Sequence, residues 1–151
     1  IEEVKNKDVK IVATPMGGTH LEPNSPDNIL KLVQQHIPVS IATDAYLPPY
    51  KEAEWLPFKD HQLRGPDVLM QIAQPAMQLL KEQGYDDNDI LALITRHPAH
   101  ILRKGDQFGS LAPGMDAHFL ITEGIPGLDI TDINAIKQVY YKGKKVIDRL
   151  K

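Results

Sequence analysis

An α/β fold with a smaller β-rich end is what this sequence predicts, and three observations predict it. Two short, apolar, β-branched runs flank a stretch of helical periodicity near the start of the chain. Strand, helix, strand over about 40 residues is a βαβ unit, which pairs its strands in parallel. Past Gly105 the helical period stops, and turn signals with a two-residue hairpin take over.

Taken in order, Val4 to Ala13 reads as the first strand, centred on Val9, Ile11 and Val12. The paired glycines of Thr14-Pro15-Met16-Gly17-Gly18-Thr19-His20 mark a loop, because glycine adopts backbone angles other residues avoid. Ser25-Pro26-Asp27 opens a helix, with Ser25 as N-cap and Pro26 at the first helical position. Ile29, Leu30, Leu32 and Val33 form its apolar side, and His36 to Pro38 ends it. Val39 to Thr43 is the second strand. Its first four residues carry no charge and do not alternate, which suits burial on both faces.

Residues 46 to 64 hold three prolines, the only tryptophan (Trp55) and many charges, and read as a long loop. A helix opened by Gly65-Pro66-Asp67 comes next. Leu69, Ile72, Ala73, Ala76, Met77 and Leu80 lie on one face of it. Pro75 lacks the N–H for a bond to Gln71 and should kink it, and Gly84 stands in the C′ place that ends it. Asp87 opens another helix, and Pro98 to Leu102 reads as a further turn of helix. Pro113-Gly114 sits at the centre of a type II turn. His118 to Thr122 is a strand, and Ile136 to Tyr141, Lys142-Gly143 and Lys144 to Ile147 form a hairpin.

Composition narrows the function. With 17 Lys and Arg against 20 Asp and Glu, the net charge is −3 and no basic block stands out, so nucleic acid is not an expected partner. No uncharged apolar run approaches the ~18 residues of a membrane span. The absence of cysteine excludes disulfides, thiol chemistry and thiolate-bound zinc, and fits a cytoplasmic protein.

Asp44 is the residue that draws attention. It ends the buried strand Val39 to Thr43 and precedes Ala45-Tyr46-Leu47-Pro48-Pro49. A carboxylate at the C-terminal end of such a strand stands where α/β barrels keep their chemistry. The local pattern equally allows Asp44 to cap a turn or the next helix.

Four motifs in order then carry a resemblance: Ile41-Ala42-Thr43-Asp44; Leu93-Ile94-Thr95-Arg96-His97-Pro98-Ala99; Gly109-Ser110-Leu111-Ala112-Pro113-Gly114-Met115-Asp116-Ala117; and Val139-Tyr140-Tyr141-Lys142-Gly143-Lys144-Lys145-Val146. Together they resemble the C-terminal portion of the amidohydrolase superfamily, especially its imidazolonepropionase, prolidase-like and cytosine-deaminase-like members. The stretch ending in Asp44 resembles the last barrel strand with its aspartate. Leu93 to Ala99 resembles the T-x-N-P-A junction, with His97 where the family has Asn. Gly109 to Ala117 resembles G-x-L-x-P-G-x-D-A at the entry to a small β-sandwich, and Val139 to Val146 resembles its closing hairpin.

The resemblance implies the C-terminal part of a (β/α)₈ TIM barrel over residues 1–104 and C-terminal strands of a β-sandwich over 105–151. A whole barrel needs at least about 200 residues, so the expectation is a C-terminal fragment of a larger enzyme, inactive by itself. The family's first-strand His-x-His has no counterpart, since no two of the six histidines are separated by one residue. The implied activity is metal-dependent hydrolysis of a non-peptide C–N bond in a small molecule: an amide, cyclic amide or amidine. A deaminase or urease-like reaction belongs to the same superfamily. The implied cofactor is a divalent metal, zinc before iron or manganese. Asp44 would be both metal ligand and general base. His20 and Tyr46 would contact substrate, although His20 also reads as a polar loop residue and Tyr46, like Trp55, as packing. His97 and His100, at i and i+3, are a weak candidate metal pair. Few strands and open sheet edges imply a homo-oligomer. The reading from another class is a non-catalytic folding or assembly module that associates with another chain.

Overall fold

A computed structural model of the chain describes residues 2–5, 7, 9–14, 25–43, 58–59, 62–63 and 69–150. The elements are α1 (Glu2–Lys5), β1 (Ile11–Ala13), α2 (Pro26–Gln34), β2 (Val39–Ile41), β3 (Phe58–Lys59), β4 (Gln62–Leu63), α3 (Leu69–Glu82), α4 (Asp87–Leu91), α5 (Arg96–Ile101), β5 (Phe119–Thr122), β6 (Ile136–Tyr141) and β7 (Lys144–Asp148). A 3₁₀ turn, Ala92–Ile94, joins α4 to the residues before α5. Among these residues β1 pairs with β2 in parallel, β3 with β4 antiparallel, and β5-β6-β7 form an antiparallel sheet. None of the described helices is long and apolar enough to cross a membrane.

The βαβ unit forms as its sequence dictates. Ser25 Oγ accepts from the Asn28 N–H at 3.3 Å, and Pro26 begins α2. Ile29 is fully buried. The first strand is shorter than expected: residues 2–5 form a helical turn, and only Ile11–Ala13 is strand. Val9 and Val12 are exposed, so the β-branched run extends beyond the stretch that gains a buried sheet face. Two brief strands, β3 and β4, interrupt the region expected to be loop.

Three helices end in one backbone motif. At α3 the Tyr85 N–H bonds Leu80 O and the Gly84 N–H bonds Lys81 O, with Gly84 at φ 83°. This is the Schellman arrangement, which needs a left-handed residue at its centre. It recurs at α2, where Ile37 N–H bonds Leu32 O and His36 N–H bonds Val33 O, and at α5 through Lys104 to Ala99 and Arg103 to His100. There His36 and Arg103, both at φ 56°, take the place of glycine.

The core joins Ala13, Ile29, Val39, Ile41, Ala73, Ala76, Met77, Leu80, Ile90 and Leu93 to Leu128. α3 supplies the largest share, with Met70, Ala73, Ala76, Met77 and Leu80 buried. Pro75 lies inside this continuous helix. It is exposed, as is Gln71, and it lacks the N–H that would bond the Gln71 carbonyl. Leu128 and Ile125 come from the loop between β5 and β6, which folds back onto α3. A Cβ built at Gly127 would stand 2.6 Å from Met77 Sδ, so a side chain there would have to displace the Met77 thioether.

The closing hairpin turns through Lys142 and Gly143, at φ 48° and 74°, as a type I′ turn demands. In β7 the register passes from Ile147 opposite Val139 to Lys145 opposite Tyr140, skipping Val146. That bulge brings Lys145 and Asp148 onto one face, where regular alternation would put them on opposite faces. Lys145 Nζ bonds Asp148 Oδ2, and Gln138 Nε2 donates to Asp148 Oδ1 at 3.1 Å. These bonds, with the Leu150 N–H, lower the Asp148 pKa to about 2 from 3.8. A depressed carboxylate pKa stabilises the fold above the unfolded value and loses that effect as pH falls through the folded one. The amide signals of β7 are therefore expected to change between pH about 4 and 2, and Asp148→Asn should remove that response. A pH-insensitive β7 in the wild-type chain would show that the cluster does not hold the strand.

Candidate functional site

The feature that could place a site is the pair β1 and β2. Ile11 lies opposite Val39, Val12 opposite Ser40 and Ala13 opposite Ile41, in parallel. The Ile11 N–H bonds Pro38 O at 3.0 Å at one end, and the Ala42 N–H bonds Ala13 O at 2.9 Å at the other. Parallel strands in register finish on the same edge of their sheet, so Thr14 and Thr43 leave from one side. In open and closed α/β sheets that carboxyl edge is where ligands bind. Asp44 follows Thr43 directly in sequence, and His20 belongs to the loop that leaves Thr14. Asp44, His20, Tyr46 and Trp55 themselves lie outside the described residues.

β2 is a firm base for the segment it leads into. Val39, Ser40 and Ile41 are all buried, as a run without charge or alternation requires. The 3₁₀ turn Ala92–Ile94 and α5 pack against it, with Ala92, Leu93 and Ala99 buried there. His97, near the start of α5, bonds the Val39 carbonyl through Nδ1 at 2.7 Å. A carbonyl only accepts, so Nδ1 carries the hydrogen, and in the neutral ring Nε2 is the acceptor. Thr95 Oγ1 donates to Leu91 O at 2.8 Å just before α5.

The His97–Val39 contact was not legible as such. The only sequence signal was that His97 departs from the residue expected in its motif. The same bond bears on His97 and His100 as a metal pair, because it engages one of the two His97 ring nitrogens. The His100 ring packs against Gly105, where a Cβ would lie 2.9 Å from its Nδ1. Among the described residues no group of three or more His, Asp or Glu could hold a metal.

Two of the sequence motifs meet in space. Gly109, from the glycine-turn motif, lies against the Thr95–Ala99 junction. A Cβ built there would be 2.6 Å from Ala99 Cβ and 3.1 Å from Thr95 O. Further on, Met115 N–H bonds Ala112 O at 3.2 Å, with Gly114 at φ 89°. This is the expected type II turn. His118 then ties the entry of β5 to the hairpin: its Nδ1 accepts from the Lys142 N–H at 3.3 Å, and its ring tilts against Tyr141.

No family model and no curated protein sequence matches the chain. Solved structures do. An amidohydrolase from Thermotoga maritima MSB8 is 21% identical and matches 98% of this chain with a TM-score of 0.67. This chain has the fold of part of an amidohydrolase. E. coli guanine deaminase matches 98% of it at 18% identity and a TM-score of 0.62. Klebsiella pneumoniae 5-methylcytosine deaminase matches 93% at 19% identity and 0.61. The chain spans 34%, 36% and 34% of these three amidohydrolase-fold chains, about a third of each. The βαβ unit with its covering helices and the three-stranded sheet are the mixed α/β architecture expected from the sequence.

Proposed function

We propose that this chain contributes Asp44 to the active site of a metal-dependent amidohydrolase that cleaves a non-peptide C–N bond in a small molecule. The observation that carries the reading is the in-register parallel pair β1–β2, whose shared carboxyl edge leads into Asp44 and the His20 loop. The likeness to amidohydrolases and two deaminases supports the reaction class.

Asp44 would be one metal ligand, alongside ligands from outside residues 1–151, because catalytic zinc typically takes three protein ligands. A bound divalent metal, zinc before iron or manganese, would supply the acidity that makes water reactive at neutral pH. The carboxylate has two oxygens, so Asp44 can hold the ion with one and accept the attacking water's proton with the other. The same oxygen then delivers that proton to the departing nitrogen. His20 and Tyr46 would orient the substrate beside it. Residues 1–104 would be the barrel portion and 105–151 the sandwich portion.

The assembly reading has one observation in its favour. Leu120, Val139 and Ile147 lie opposite one another across β5, β6 and β7, and Leu120 and Ile147 are exposed. One assay separates the two. The full protein, supplied with zinc, iron or manganese, is expected to hydrolyse an amide, cyclic amide or amidine, and residues 1–151 alone none of them. Zinc-stimulated turnover by residues 1–151, lost in Asp44→Ala, would show that the ligand set lies within this sequence. An inactive full protein across all three substrate classes would leave the assembly reading.

A further inference from the structure

We infer that His97 is a positioning residue for the strand that leads to Asp44. This rests on the active-site reading above and names a device that sets its geometry. Successive backbone groups of a strand point alternately to its two sides. Pro38 O and Ala42 N both pair with β1, so the Val39 carbonyl between them points to the side away from β1. Val39 is fully buried, and a buried carbonyl needs a partner. His97 provides it at 2.7 Å, from 58 residues away in sequence.

β2 is therefore held from both sides, by the β1 ladder on one and by an imidazole on the other. The strand is three residues long, too short to fix its own twist and height against a neighbour. Asp44 comes three positions after its last residue, Ile41, so whatever fixes β2 also fixes where the chain leaves the strand toward Asp44. A misplacement of about 1 Å at a reacting group can lower a rate on the order of 10²-fold. Asparagine can replace this function, because its Nδ2 is attached at the same Cγ position as His Nδ1 and donates in the same direction. Phenylalanine keeps the ring and removes the donor.

The test uses His97→Asn and His97→Phe in the full protein, with two readouts. Amide exchange at Ile11 and Ala42, whose N–H groups close the two ends of the β1–β2 ladder, reports whether the strand is held. Steady-state hydrolysis reports whether Asp44 is placed. In His97→Phe, exchange at both amides should quicken by about tenfold or more and kcat should fall roughly 10- to 100-fold with KM little changed. His97→Asn should restore both. Unchanged exchange in His97→Phe would overturn the inference. So would faster exchange with kcat unmoved, which would make the bond a packing feature only. If the wild-type protein hydrolyses nothing, the active-site reading fails by itself, while the exchange data still decide whether His97 holds the strand.

Discussion

Asp44→Asn is expected to lower kcat by a factor of about 10³ or more while the fold stays intact. Removing a general base typically lowers a rate 10²- to 10⁴-fold, and this residue is proposed to bind the metal as well. Asparagine has nearly the same shape, so packing is preserved, but its amide neither takes a proton at neutral pH nor carries charge to the ion. The core of α2, α3, β2 and the 3₁₀ turn is built from other residues, so the melting temperature should move little. Kinetics and thermal unfolding of the same preparation check this together. Near-normal turnover would reduce Asp44 to a residue that caps a turn after β2.

Gly109→Ala is expected to be the most damaging glycine-to-alanine change among the described residues. Two effects add. Gly109 has φ 98°, a conformation in which a Cβ meets its own backbone at roughly 1–2 kcal/mol. The new methyl would also stand 2.6 Å from Ala99 Cβ and 3.1 Å from Thr95 O. Neither neighbour is the flexible end of a long side chain, so α5 would have to shift, at about 1–3 kcal/mol. Together they should lower the melting temperature by roughly 10 °C for a chain of this size. Gly84→Ala is the control: its φ is also positive, at 83°, but its Cβ would meet nothing within 4 Å. Equal losses in the two variants would show that the packing against Ala99 contributes nothing.

Much of the fold was legible because local chemistry and tertiary packing agree. Ser25-Pro26 caps and starts α2, the 3.6-residue stripe on α3 is the buried stripe, and Pro113-Gly114 and Lys142-Gly143 turn where such pairs must. What escaped is non-local or lacks a compositional mark. His36 and Arg103 adopt the left-handed angles that close α2 and α5, yet only Gly84 advertised such a place. Val4 and Val9 have strand propensity without a sheet to bury it. Met70 is buried although it lies off the stripe traced from Leu69. Leu128 enters the core from a loop that nothing in its neighbourhood ties to α3. At the candidate site, the end of β2 could be read from an uncharged run and a following carboxylate. The His97 bond to Val39 could not, because no spacing rule relates residues so far apart.

The seating of Leu128 against α3 also governs how the chain is made. During synthesis β1, α2 and β2 emerge before α3, the helix that covers them. The apolar surface they share is completed only when the stretch carrying Ile125 and Leu128 has been added. Until then a nascent chain holds a nearly finished but unsealed interior, the kind of intermediate that invites aggregation or chaperone capture. Contacts between segments distant in sequence, such as this loop and α3, also slow folding, since the intervening polymer must first be brought to order. Acquisition of the native state should thus be late and cooperative, with the loop before β6 acting as the latch.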